Sequence, residues 1–196
     1  MGKQIYLEAI KRLFEKSPVV NFQSIEKIIR DMGGKYNYAK LLVSHLLKGG
    51  KIKKVGKGVY TAHIESSLAV FAFKPAYLGL QSALCYLGLW EQETIPVIIT
   101  TKKVRCGIRA VIGSNILIRT IDKRYLFGFD FVKDGNFYLP YSDLEKTCID
   151  MVIFNEYMDD SILHAIKKKI NHKKLQKYLK KYPQRLHERV EKKLLG

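Results

Sequence analysis

Tyr36-Asn37-Tyr38-Ala39-Lys40-Leu41-Leu42-Val43-Ser44-His45-Leu46-Leu47-Lys48 runs into Gly49-Gly50 and then into Lys51-Ile52-Lys53-Lys54-Val55-Gly56-Lys57-Gly58-Val59-Tyr60-Thr61. Three signals follow one another here. Ala39, Leu42, Val43, Leu46 and Leu47 recur at i, i+3, i+4, i+7 and i+8, the single apolar stripe of an amphipathic helix. The other side of that helix carries Asn37, Lys40, Leu41, Ser44 and Lys48. The glycine pair ends the helix as a glycine C-cap does. Two β-prone runs, 52–55 and 59–61, then flank Gly56-Lys57-Gly58, a hairpin signal.

Toward the N-terminus, Tyr6, Ile10, Leu13 and Phe14 recur at helical spacing and predict a helix over 2–16. Ser17-Pro18 stops it. Asn21 is the N-cap expected for a second helix marked by Phe22, Ile25, Ile28 and Ile29, and Gly33-Gly34 breaks that helix into a tight turn. Helix, helix, turn, helix, basic hairpin is the order of a winged helix-turn-helix. The sequence therefore predicts a double-stranded DNA-binding domain over 1–62. In such a domain the third helix enters the major groove with its N-terminal residues at base edges. Lys35, Tyr36, Asn37, Tyr38, Lys40 and Ser44 are the expected contacts on that helix. Asn can bond adenine at two points, and Lys can reach guanine or phosphate. In the hairpin, Lys53, Lys54 and Lys57 are expected on phosphates, with Lys57 held between two glycines that let the chain approach the backbone closely.

Charge is distributed unevenly. The net formal charge of the chain is +17. Residues 1–62 hold 13 Lys and Arg against 4 Asp and Glu, and residues 161–196 hold 12 against 2, while the middle is near neutral. Two basic ends point to a polyanion. The most apolar stretch, Ser67 to Trp90, is divided by Lys74-Pro75, so no membrane span is expected. Cys85, Cys106 and Cys148 are odd in number and far apart, and the first residues lack the apolar run of a signal peptide. A reducing, cytoplasmic setting is the expectation.

Beyond residue 62 the pattern predicts a connecting helix over 63–75 and then a mixed α/β domain over 76–196, giving an α+β chain overall. Tyr77, Leu80, Leu84 and Leu87 are expected on the inner face of a helix over 76–89. Strands are expected at 97–101, 116–121, 126–132 and 137–139. Ser142 followed by Glu145 reads as a capping box. The tail is expected to be helical and basic, with Lys173, Lys174, Lys177 and Lys181 as a secondary basic surface. That surface serves extra phosphate contact, an acidic partner or simple solvation.

Several segments together resemble the AbiEi-type antitoxin regulators, a family of predicted regulators of viral defence systems. They are Tyr38-Ala39-Lys40-Leu41-Leu42, Gly56-Lys57-Gly58-Val59-Tyr60, Gly79-Leu80-Gln81-Ser82-Ala83-Leu84 with Tyr86-Leu87-Gly88-Leu89, Thr100-Thr101-Lys102-Lys103, and Leu144-Glu145-Lys146-Thr147-Cys148-Ile149-Asp150. Leu144 stands where the family often has Pro. The resemblance implies a repressor of its own operon with a nucleotidyltransferase-type toxin as partner. A stand-alone regulator without a toxin is the other reading.

No pattern for a hydrolase nucleophile or a P-loop occurs, and the five histidines make no zinc spacing with cysteine. Cys85 is expected in the core. No cofactor and no metal site is expected, and no catalytic residue is assigned. The sharpest enzymatic alternative is a metal-dependent nuclease built on Asp130, Asp143, Glu145, Lys146 and Asp150. Its carboxylates would have to converge on a divalent ion, whereas 143–150 spaces them around a helix.

Overall fold

Apolar periodicity, glycine punctuation and one buried charge pair account for most of the architecture. The computed structural model describes residues 2–194, with side chains from Ile5 to Leu194. The fold is mixed α+β and divides into two compact units. The first runs up to Phe73 and includes Ala110–Asn115; the second comprises Lys74–Arg109 and the chain from Ile116 onward.

In the first unit, α1 (Gly2–Lys16), α2 (Phe22–Asp31) and α3 (Tyr36–Lys48) enclose a core of Ile10, Phe14, Ile25, Ile29, Ala39, Leu42, Val43 and Leu46. These are the stripes read from the sequence, and their burial drives the three helices together. Asn21 holds the N-cap position of α2, but its side chain makes no cap hydrogen bond. It serves the sheet instead: β1 (Val20–Asn21) pairs antiparallel with β3 (Val59–Thr61), which pairs antiparallel with β2 (Lys53–Gly56). Thr61, fully buried, donates its hydroxyl to the Pro18 carbonyl at 2.6 Å and fastens the end of β3 to the α1–α2 connection.

Both glycine pairs act through the same hydrogen-bond pattern. After α2, Gly33 (φ +80°) donates to the Arg30 carbonyl at 2.9 Å and Gly34 to Ile29 at 2.8 Å. After α3, Gly50 (φ +66°) donates to Leu47 at 3.1 Å and Lys51 to Leu46 at 3.0 Å. This is a Schellman cap, with the left-handed residue one step beyond the helix.

A six-stranded sheet runs in the order β6-β7-β5-β4-β9-β8, and apart from Ala110–Asn115, where β6 ends and β7 begins, its residues belong to the second unit. Its strands are β4 (Ala76–Leu78), β5 (Val97–Thr100), β6 (Gly107–Val111), β7 (Ser114–Thr120), β8 (Phe129–Asp134) and β9 (Phe137–Ser142). The β4–β9 and β5–β7 pairs are parallel, and β4–β5 and β8–β9 are antiparallel. Helices α4 (Gln81–Tyr86), α5 (Leu144–Ile153), α6 (Asp160–Lys169), α7 (His172–Leu179) and α8 (Gln184–Leu194) complete the unit.

Four sequence expectations are corrected. The connection before the second unit is a 3-10 helix over Ser66–Phe73 rather than an α-helix over 63–75. The stretch 76–89 is a strand, a bend and a short helix rather than one helix. Gly79 lies where a Cβ would strike the Ile99 and Tyr77 side chains, and Leu80 is held at φ +52° with its side chain fully buried. A burial large enough to impose a left-handed backbone overrides the helical spacing of Tyr77, Leu80 and Leu84. Strand β6 was not anticipated, because its coverage runs against its hydrophobicity: Ile108 and Ala110 are exposed while Arg109 is half-covered. The N-cap of α5 is Asp143, whose carboxylate accepts from the Lys146 amide at 2.9 Å, while the Ser142 hydroxyl bonds to Thr147 at 2.7 Å.

The two residues of one glycine pair make unequal predictions. Gly49 has φ −78°, open to any residue, and Gly50 has φ +66°. Gly50→Ala should cost about 1–2 kcal/mol of stability, the left-handed penalty for a Cβ. Gly49→Ala should cost a fraction of that. Urea unfolding of the two variants measures the difference, and equal effects would refute the cap assignment.

Candidate nucleic-acid interface

Between Met32 and Ile64 the chain has seven lysines and no aspartate or glutamate. That segment supplies α3 and the β2–β3 hairpin. Lys35, Tyr36, Asn37, Lys40, Leu41, Ser44 and Lys48 are exposed, whereas Ala39, Leu42, Val43 and Leu46 are buried. Lys35 occupies the N-cap position of α3 in extended conformation, and no carboxylate stands in the first turn. The positive end of the helix dipole is therefore reinforced, not neutralised.

The aromatic residues at this end have two roles. Tyr38 is half-buried and its ring lies 5.1 Å from that of Tyr6, with the Tyr6 hydroxyl donating to the Met32 carbonyl at 3.3 Å. It fixes α3 against α1. Tyr36 is 49% exposed, meets Phe22 edge-on at 6.0 Å and carries the Lys40 ammonium 4.5 Å above its ring. A cation over an exposed ring is partly oriented before any ligand arrives.

At the hairpin, Gly56 opposes Val59, so Lys57-Gly58 forms a two-residue tip. Gly58 has φ +69°, as the tight turn requires. Its carbonyl accepts from the Phe22 amide at 2.8 Å, which ties the tip to the start of α2. Lys54 and Lys57 are exposed, and Lys53 is half-buried. Gly56 has a packing role: a Cβ there would meet the Ala72 side chain at 2.5 Å.

In the second unit, the expected basic surface is only partly free. Lys173 and Lys177 are exposed on α7. Lys174 bridges Asp143 and Glu145, each at 3.1 Å. Burial alone would lower its pKa, but hydrogen bonds to Glu145 and Asp143 outweigh that and raise it. The Lys181 ammonium lies 3.9 Å from the Phe127 ring centre. Two further cations of the tail face inward: Arg189 donates to the Val152 carbonyl at 2.9 Å and Lys193 to the Glu156 carbonyl at 3.0 Å. Both answer carbonyls near the end of α5.

Of the residues considered for a nuclease, Asp143, Glu145, Lys146 and Asp150 lie in that same packing. Asp130 is exposed on β8. Every residue from Glu145 to Val152 is buried. Lys146 and Asp150, one turn apart and fully buried, form an ion pair, and the Tyr77 hydroxyl donates to Asp150 at 2.6 Å. Burial lowers the Lys146 pKa against the pull of Asp150, and burial raises that of Asp150 against the pull of Lys146. Burial also raises Tyr77, helped by the adjacent Asp150. Asp143 accepts from the Tyr178 hydroxyl at 2.7 Å, and Glu145 from the Asn171 amide at 2.8 Å. Glu145 is thus a tie to the start of α7 and not the reciprocal member of a capping box. Lysine, tyrosine and backbone donors occupy Asp143, Glu145 and Asp150, and Asp150 has no exposed surface. Among the described residues no group of three or more metal-ligating side chains gathers. Cys85, expected in the core, is exposed; Cys148 is the buried cysteine.

The Lys146–Asp150 spacing of i, i+4 was legible in the sequence. The partners of Lys174 were not, because they stand about thirty positions away and meet only when α7 docks on α5.

No family model matches the sequence, and no curated protein matches it. In structure, the chain is similar to the RV2827C protein from Mycobacterium tuberculosis. The TM-score is 0.63 at 14% identity, over 91% of this chain and 72% of that one. At such identity the likeness is one of fold. No helix among the described residues is long and apolar enough to cross a membrane.

The enclosed pair makes an asymmetric prediction. Lys146→Met alone should cost about 3–5 kcal/mol by leaving Asp150 without its cation. Lys146→Met with Asp150→Leu should be less destabilised than the single variant. Urea unfolding decides, and a double variant worse than Lys146→Met would show that the charges act independently.

Proposed function

We propose that the first unit is a winged helix-turn-helix and that the protein is a cytoplasmic, sequence-specific regulator of transcription, acting on duplex DNA as a repressor. Helix α3 enters the major groove, and the β2–β3 hairpin is the wing that lies on the backbone. The observation that carries this reading is the acid-free segment from Met32 to Ile64. It presents Asn37, Lys40 and Ser44 on one helix face and Lys54 and Lys57 on the adjoining hairpin, all exposed. Phosphate contacts by the lysines position the domain; Asn37 and Lys40 at base edges give it sequence preference.

A non-enzymatic role is part of this proposal. Its support is the burial of Lys146 and Asp150 and the donors that occupy Asp143 and Glu145, which is how a structural network is built. The version with a nucleotidyltransferase-type toxin rests on the AbiEi-type resemblance. Two of the segments behind that resemblance are internal: Leu80, Ser82, Ala83 and Leu84 are buried, as is Glu145 to Asp150. Such residues speak for the scaffold.

Affinity for duplex DNA should fall with salt at a log–log slope of about −0.9 per phosphate contacted. Lys57→Ala should weaken operator and scrambled duplex alike and make that slope shallower by about one unit. Fluorescence anisotropy across a salt series measures both, and binding that is undetectable or indifferent to salt would remove the reading.

Asn37→Ala should lose about 1–3 kcal/mol on operator and almost nothing on scrambled duplex. Equal losses on both would make Asn37 a phosphate contact. For the tail, Lys173→Glu with Lys177→Glu is the clean charge reversal, since Lys174 and Lys181 are engaged within the unit.

A further inference from the structure

We infer that Leu41 is a specificity residue that packs on the 5-methyl group of a thymine, an inference that rests on the DNA-binding reading above. Leu41 is 64% exposed in the middle of α3, although the core beneath is complete without it: Ala39, Leu42 and Val43 are buried on either side in sequence. Asn37, Leu41, Ser44 and Lys48, at i, i+4, i+7 and i+11, share one helix face.

The surroundings select the occupant. A surface made for another protein gathers apolar and aromatic residues at its centre and keeps charge at the rim. On α3, the exposed neighbours of Leu41 are Asn37, Lys40, Ser44 and His45, and no carboxylate occurs on the helix. Leu41 is the exposed aliphatic side chain of α3, set within a field of cations and donors, and it matches a polyanion that bears isolated apolar groups. The major groove is such a surface, and the thymine methyl is the apolar group that it presents to direct readout. On its other flank Leu41 borders a hollow of about 360 Å³ lined by Leu7, Tyr38, Leu42 and His45. The side chain therefore has room to settle on a methyl group without disturbing α1. Asn37 stands one turn earlier, so an adenine bonded by Asn37 and a thymine covered by Leu41 would lie at neighbouring steps of the site.

The test begins with selection of a preferred duplex from a randomised pool by the full-length protein. Each thymine of that duplex is then replaced singly by deoxyuridine, which removes the 5-methyl and nothing else. At one position the wild-type protein should bind about fourfold more weakly, the worth of one buried methyl. Leu41→Ala should bind the thymine duplex more weakly by a similar factor and respond to uracil at no position. Leu41→Met, which keeps apolar bulk, should retain most of the discrimination. Specific binding that ignores every uracil, a selected site without thymine, or a Leu41→Ala protein that still discriminates would each overturn the inference and leave DNA binding standing. A pool from which nothing is enriched, with no affinity for duplex, would overturn the DNA reading and this inference together. Were Leu41 instead covered by a second copy of the chain, Leu41→Ala would halve the mass seen by light scattering and leave uracil discrimination unchanged, which also overturns it.

Discussion

Two opposite charges enclosed in one helix constrain the second unit more than any other feature. Helix α5 is buried along nearly its whole length, and Lys146 and Asp150 sit inside it with no exposed surface. An enclosed charge is tolerated only when its counter-charge and hydrogen-bond donors are in place. Asp150 therefore requires both Lys146 and the Tyr77 hydroxyl, which fixes β4 against the helix. Lys146 in turn is surrounded by the rings of Tyr77, Phe127 and Tyr182 at 5.4–5.9 Å. Gly128 completes the enclosure, because a Cβ there would lie 2.9 Å from that of Lys146.

The remaining acids of α5 extend the same logic outward. Asp143 caps the helix, then accepts from Tyr178 and pairs with Lys174; Glu145 shares Lys174 and receives the Asn171 amide. At the other end Arg189 and Lys193 answer backbone carbonyls. Part of the strong positive charge of the tail is thus committed to holding α7 and α8 against α5. Net charge alone overstates the cations that remain for an outside partner.

The first unit is built on a different economy of interactions. Its core is apolar, its turns are set by glycine, and its charges are kept out of the packing. That separation leaves the outer face of α3 and the hairpin tip unoccupied by internal ion pairs. A surface of this kind can be specialised for a ligand without cost to the core, because exposed substitutions away from packing change stability little.

The sequence by itself determined the three helices of the first unit and the hairpin that follows them. Helix α1 lies at the expected bounds, α3 buries its predicted stripe, and both glycine pairs end helices. Each of these depends on contacts within a few residues, where periodicity and backbone preference act directly. The tertiary structure alone decided the second unit's detail. It turned 76–80 into a strand and a strained bend, made Asp143 the cap in place of Ser142, and paired Lys174 with Asp143 and Glu145. It also decided that Leu41, which periodicity already places on the polar side of α3, is covered by no neighbour and keeps 64% of its surface. The reason is physical: which cation neutralises a carboxylate, and which apolar side chain finds no cover, depends on residues distant in sequence that become neighbours only on packing.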